Sequence, residues 1–225
     1  VMTKTHPTVI ACGGIQAELD KLQPEKHGIR MHYMPQNLHR TPDKLRERLQ
    51  ETVKKLSGNG GRIVLGYGLC CNGVVGIEAP EEGLYIPKVH DCIALYMGSL
   101  EKYKEIFSRQ PGTYHLTRNW IENKKDPLGL VENEYKKRVG EDMARETMEW
   151  EIKNYSHISY INTGSGKTRK YRERAQKNAQ EFDKKYLEIP GDDAFFRQIL
   201  FGPWDAKRFI HIKPHEISKQ EYFLK

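Results

Sequence analysis

Four cysteines stand in this chain, and all of them fall in three short glycine-bearing fragments of its first half. "VIACGG" carries Cys12, "LGYGLCCNGVVG" carries Cys70 and Cys71, and "PKVHDCIALYMG" carries His90, Asp91 and Cys92. Ordinary turns take Asn, Asp or Gly, so thiols at the ends of apolar runs point to chemistry. Disulfides are rare in a reducing cytosol, where cysteines serve as metal ligands, redox groups or nucleophiles. A single cysteine would pass as a small buried hydrophobe; three at strand ends do not. Three thiolates and a histidine suit a soft or borderline metal, zinc above all, with an iron–sulfur cluster as the alternative. The ligands proposed on this basis are Cys12, His39, Cys70 and Cys92. Paired C-x-x-C spacing is missing. Cys70 is favoured over Cys71 because it continues the strand, and Asp91 is read as a partner that orients a ligand.

These fragments need a scaffold. "PTVIACGG", "GIRMHYMPQNLH", "RIVLGYGLC" and "GLYIPKVHDCIAL" read as strands. "TPDKLRERLQETVKKLSGNGG" reads as a helix, with Thr41 as N-cap, Pro42 at the first position and Gly58 at the exit. A further strand is predicted at "TYHLTRNWIE", then one long polar helix over residues 130–155 and the strand "HISYINTG". A helix from residue 170, the strand "YLEIPGD", a helix at "DAFFRQILFG" and a last strand "RFIHIKP" complete the chain. Such alternation predicts an α/β fold: a Rossmann-like parallel sheet, or two lobes (1–110 with the cysteines, 111–225 without), with a cleft at the carboxyl ends of the strands. Loops at that edge carry function, so Cys12, His39, Cys70 and Cys92 are expected there together. Gly13, Gly68 and Gly73 are expected to let a bulky group approach.

The chain has 225 residues, 37% hydrophobic, and a net charge of +7, enough for a real core and too ordered in pattern for global disorder. Basic residues gather in residues 153–177 and in the tail from Trp204. That balance admits a small anion or an acidic protein as partner, and with no nucleic-acid-binding motif present, nucleic acid is not expected. No apolar run approaches membrane length and the start lacks a signal-like segment, so a cytoplasmic protein without membrane contact is expected. "NTGSGKTRK" imitates a nucleotide-binding P-loop. Ile161 stands where that motif needs its first glycine, so triphosphate hydrolysis is not expected. Lys167 in this turn, ahead of a helix, is a candidate anion contact.

The order "ACGG", "LGYGLC.NG", "P..HDCI.L..GS" and "Y...F...PGTYHLT..W", continued by "INTG", "IPGDDAFFRQILFGPWD" and "FIHIKP", resembles the domain of unknown function 1638 family. The resemblance spans nearly the whole chain. It implies a setting in methanogens and other anaerobes, beside corrinoid-dependent methyltransferase systems, with Cys12, His39, Pro42, Cys70, His90, Asp91 and Cys92 as the motif positions. Cys71 beside Cys70 departs from the pattern. The expected function is a zinc-thiolate protein of corrinoid-linked methyl-group metabolism, acting on a thiol or small anionic substrate as a metal-dependent methyltransferase. The alternative is a non-catalytic accessory protein that holds a metal, an iron–sulfur cluster or a corrinoid for a partner methyltransferase.

Overall fold

The computed structural model describes residues 6–58, 60–70 and 72–224. In chain order the strands are β1 (Thr8–Cys12), β2 (Arg30–Met34), β3 (Ile63–Gly66), β4 (Leu84–Pro87), β5 (Thr113–Leu116), β6 (His157–Asn162), β7 (Lys185–Pro190) and β8 (Phe209–Ile212). The chain forms two compact units. One comprises the residues up to Gly98 together with those from Asp193 onward, and the other is Ser99–Asp192. Among the described residues no helix is long and apolar enough to cross a membrane.

The first unit holds a five-stranded sheet in the order β2-β1-β3-β4-β8. Its first four strands are parallel, in register from Cys12 opposite Met34 to Ala11 opposite Gly66. β1 and β3 are buried along nearly their whole length. Helices therefore cover both faces of the sheet centre, and these strands read as continuous apolar runs instead of alternating ones. The helix Pro42–Leu56 lays Leu45, Leu49 and Val53 on Ile10, Ile63 and Leu65. Spacings of four place all three side chains on one stripe. Thr41 stands at the N-cap position, yet its hydroxyl donates to the Leu38 carbonyl at 3.4 Å and caps nothing. The 3-10 turn Gln36–Arg40 just before it offers that nearer acceptor.

β8, the segment "RFIHIKP", runs antiparallel to β4, with Leu84 opposite Ile212 and Pro87 opposite Phe209. It closes one edge of a sheet that the alternating pattern had suggested would be parallel throughout. The loop after β4 is tied to it as well, since the Lys88 N–H donates to the Arg208 carbonyl at 2.8 Å.

The second unit is a parallel sheet in the order β5-β6-β7. Tyr171, Ala175 and Ala179 of the helix Thr168–Glu181 pack on Leu116, Ile158 and Tyr160. Two sequence expectations change here. The strand predicted over 113–122 stops at Leu116, because Thr117 turns the chain and its hydroxyl accepts from the Trp120 N–H, opening the helix Arg118–Glu122. The helix predicted over 130–155 is broken as well. Pro127–Leu130, a π turn at Val131–Tyr135 and Lys136–Val139 come first; Gly140 then takes φ +84°, ψ 173°, and Glu141–Glu151 starts afresh. The break lets Tyr135 fold back, its hydroxyl on the Glu151 carboxylate at 2.8 Å, over a small core of its own with Ala144 and Met148.

Candidate functional site

The strand order places β2 on one side of β1 and β3 on the other, so successive connections leave β1 in opposite directions. Such a switch point opens a crevice at the carboxyl ends of the strands, where α/β proteins bind their ligands. Cys12 is the last residue of β1, and its sulfur accepts the Gly14 N–H at 3.3 Å. The chain leaving β3 passes through Gly66, Tyr67, Gly68 and Leu69 to Cys70. It is stitched to the chain leaving β4, with Leu69 N–H on the Val89 carbonyl at 2.9 Å and Cys70 N–H on the His90 carbonyl at 3.1 Å. Cys70 then turns with φ +45°, a left-handed conformation unusual outside glycine. Asp91 is occupied as the N-cap of Cys92–Met97, accepting from Ile93 N–H at 2.9 Å, and this cap fixes Cys92 at the helix start.

Cys12, Cys70 and Cys92 carry reduced, partly buried thiols. They lie in one electrostatic neighbourhood. Burial pushes the Cys92 thiol well above the usual range, and the Cys70, Asp91 and Cys12 groups raise it further. Burial also raises the Cys12 thiol, against the smaller opposing pull of hydrogen bonding from Gly14 and Tyr67. Cys12 and Cys92 are accordingly neutral at pH 7.

Tyr67 stands among them, and sequence reasoning missed it. Its ring packs in the core beneath the crevice, with only 2% of the residue exposed. Its hydroxyl finds no hydrogen-bond partner of regular geometry. Burial drives its ionisation far upward, and the Cys12 and Cys70 thiols add to the shift. The clue available in the sequence was an aromatic residue between two glycines, "GYG", immediately before the cysteine doublet.

The glycines expected to admit a ligand are closely filled by the protein's own chain. A Cβ on Gly13 would sit 3.0 Å from the Met34 carbonyl, one on Gly68 2.9 Å from both the Val89 carbonyl and the Asp91 nitrogen, and one on Gly73 2.5 Å from the Leu45 side chain. What approaches at these positions is backbone and core. His39 sits in the 3-10 turn that follows β2, on the same sheet edge, with Nδ1 2.5 Å from the Gln36 carbonyl. That contact makes Nδ1 the donor and leaves the lone pair on Nε2, the tautomer of a metal-binding histidine. Among the described residues, however, no three His, Cys, Asp or Glu side chains converge as a bound ion requires. Cys71 lies outside the described residues.

Lys167 belongs to the second unit, exposed at the N-cap of the helix Thr168–Glu181. A carboxylate already answers its charge: Lys167 helps to hold Glu122 below the usual range, behind the hydrogen bonds from Tyr171 and Arg118.

Residues 33–200, well over half of the chain, match the family model described as protein of unknown function (DUF1638). The chain belongs to this family. The matched segment contains His39, Cys70, His90, Asp91, Cys92 and Lys167, whereas Cys12 and β8 lie outside it. Neither the curated proteins nor the solved structures contain a match.

Proposed function

We propose that the first unit of this DUF1638 protein is a soft-metal thiolate site, with zinc as the ion its donors suit best. The observation that supports this reading is that Cys12, Cys70 and Cys92 share one electrostatic neighbourhood at a sheet switch point. The state of the thiols supports it. With burial raising Cys12 and Cys92, both are poor nucleophiles at neutral pH. A divalent soft cation is the partner that would ionise them, releasing protons as it binds. The ligands are Cys12, Cys92 and one member of the Cys70–Cys71 doublet, with His39 as the fourth donor or its place left open to substrate. Among the described residues these donors do not converge in the metal-free chain, so Cys12, Cys92 and the turn at Cys70 would have to rearrange to hold an ion.

With three protein ligands and an open position, such an ion lowers the pKa of a bound substrate thiol and makes it a nucleophile. That chemistry suits methyl transfer between a corrinoid and a thiol, the setting implied by the family resemblance. The alternative role is that of a non-catalytic accessory protein that holds a metal, an iron–sulfur cluster or a corrinoid for a partner methyltransferase.

Elemental analysis of anaerobically purified protein tests the reading, applied to wild type and to Cys12→Ser, Cys70→Ser, Cys71→Ser and Cys92→Ser. Near-stoichiometric zinc is expected in wild type. Cys12→Ser and Cys92→Ser should lose at least tenfold in metal affinity, together with just one member of the doublet, since a hydroxyl is a hard and poorly ionised ligand. If all four variants melt lower yet match wild type in metal content, the thiols are core residues and the proposal fails.

A further inference from the structure

Parallel strands are covered by helices on both faces, whereas an antiparallel pair can leave one face to water. β8 creates such a pair with β4. Leu84, Ile86, Ile210 and Ile212 turn into the core of the first unit, while Tyr85 and His211, opposite each other in the register, share the other face. There Tyr85 is half-buried and His211 exposed. Their rings stack, with centroids 4.5 Å apart and planes 7° from parallel. Gly83 leaves the room for this, since a Cβ there would sit 2.9 Å from His211 Nε2. Trp204, in the segment "FGPWD", lies with its ring 5.5 Å from that of Tyr85, and its indole N–H donates to the Ile199 carbonyl at 3.3 Å.

Arg62, the exposed residue just before β3, lays its guanidinium 5.9 Å from the Tyr85 ring centre and 5.6 Å from that of Trp204. Among the described residues its N–H groups meet no hydrogen-bond acceptor and no carboxylate. Arg46, Arg118, Arg172 and Arg174, by contrast, are each paired with one. Asp205, the acid next to Trp204, accepts from the Lys207 and Arg208 N–H groups. Stacking on two rings orients the planar fork of Arg62 and leaves its donor edge for an acceptor from outside.

The geometry narrows the occupant. A free small anion would make one exposed ion pair, too weak to hold it. Single-stranded nucleic acid needs open ring faces, and Tyr85 is already occupied by His211 and Arg62. An isologous contact with a second copy would bring this positive patch against itself. A fixed cluster of Trp, Tyr and Arg has the composition of a protein-binding hot spot, and a chain of net charge +7 favours an acidic partner. We propose that Arg62, Tyr85, Trp204 and His211 form a docking surface for an acidic segment of a partner protein. A carboxylate of that segment takes the Arg62 fork with two parallel hydrogen bonds, and its apolar neighbours cover Trp204 and His211. The proposal is independent of the soft-metal reading.

The test follows the fluorescence anisotropy of a labelled glutamate–tyrosine copolymer titrated with the full chain, for wild type, Arg62→Gln, Arg62→Lys and Lys207→Gln. Wild type should bind. Arg62→Gln should bind roughly tenfold more weakly or worse, with the circular dichroism of wild type, because Arg62 is exposed. Arg62→Lys should lose about fivefold, because lysine keeps the charge without the planar fork. Lys207→Gln, which removes the same charge from another exposed residue, should stay within about twofold of wild type. Equal losses in Arg62→Gln and Lys207→Gln would reduce the binding to diffuse charge and overturn the proposal. Full affinity in Arg62→Lys would overturn it too, by showing that charge alone suffices. So would a wild type that ignores the copolymer, or one that binds a single-stranded oligonucleotide more tightly through Arg62.

Discussion

Two parallel sheets end in two very different edges. At the carboxyl edge of the first unit, thiols sit partly buried, and burial raises Cys12 and Cys92. In the second unit three carboxylates, Glu122, Asp126 and Glu188, are each paired with an arginine. Glu188 is clamped by Arg172 through two hydrogen bonds, of 2.6 and 2.8 Å, and receives a third from Asn162 at 2.9 Å. The Arg172 guanidinium and Asn162 hold its carboxyl down to about 2 against the effect of burial. Glu122 is bound by Arg118 and Tyr171 in the same way, and Asp126 by Arg174, Asn178 and the Gly129 N–H. A saturated network stabilises and rigidifies its own chain. The difference assigns chemistry to the first edge and support to the second.

Crowding sharpens the comparison most. Gly68→Ala drives a Cβ into the backbone of Val89 and Asp91, which cannot yield as a flexible side chain would. We expect a loss of about 2–3 kcal/mol with separation of the two stitched loops. Gly164→Ala, in the second unit, meets nothing within 4 Å and carries only the penalty of its φ of +71°, about 1–2 kcal/mol. Urea denaturation of both variants measures the contrast, and equal losses would erase it.

Acid should act next, on the second unit. His115, its ring 2.7 Å from the Ser159 hydroxyl, has its ionisation lowered by burial to about 4 from an ordinary 6.5. Between those values the unfolded chain binds a proton that the folded chain refuses, so stability falls as pH falls through that window, by at most about 1.4 kcal/mol per pH unit. The protection factors of the Tyr160 and Ile161 amides, corrected for the intrinsic rate at each pH, should fall between pH 6.5 and 4 in wild type, and far less in His115→Gln. An unchanged acid limb in the variant would remove His115 as its source.

The smallest effect is assigned to the Arg172–Glu188 clamp itself. Both side chains keep contact with water, 39% and 30% exposed, so screening limits what the pair contributes. Arg172→Leu should lower the stability only slightly, and less at high salt, and should leave metal content unchanged. Loss of metal in that variant would break the division of labour between the two edges.

The placement of Cys12 was legible because the strand that ends on it is unmistakable: "TVIAC" is a β-branched run followed directly by Gly13 and Gly14. The arrival of Cys12, Cys70 and Cys92 at one sheet edge follows from parallel topology alone. Tyr67 was not legible. In a strand buried on both faces the apolar pattern no longer says which side chain points where, so a tyrosine beneath a crevice reads like any core aromatic. The broken helix was missed for a local reason, since a glycine such as Gly140 is tolerated in many helices and its φ of +84° is set by the docking of Tyr135.

By itself, the sequence determined the α/β class, the helix Pro42–Leu56 with its buried stripe and Cys12 at the end of β1, whereas Cys70 lies beyond the end of β3 at Gly66 and Cys92 opens a helix. Each of these depends on residues within a few positions of one another. Only the tertiary structure decided that "RFIHIKP" returns to pair antiparallel with β4, that Gly68 exists to admit the Asp91 backbone, and that the Tyr67 hydroxyl meets Cys12. These depend on contacts between segments far apart in the chain, where packing and hydrogen-bond satisfaction are settled for the whole unit at once.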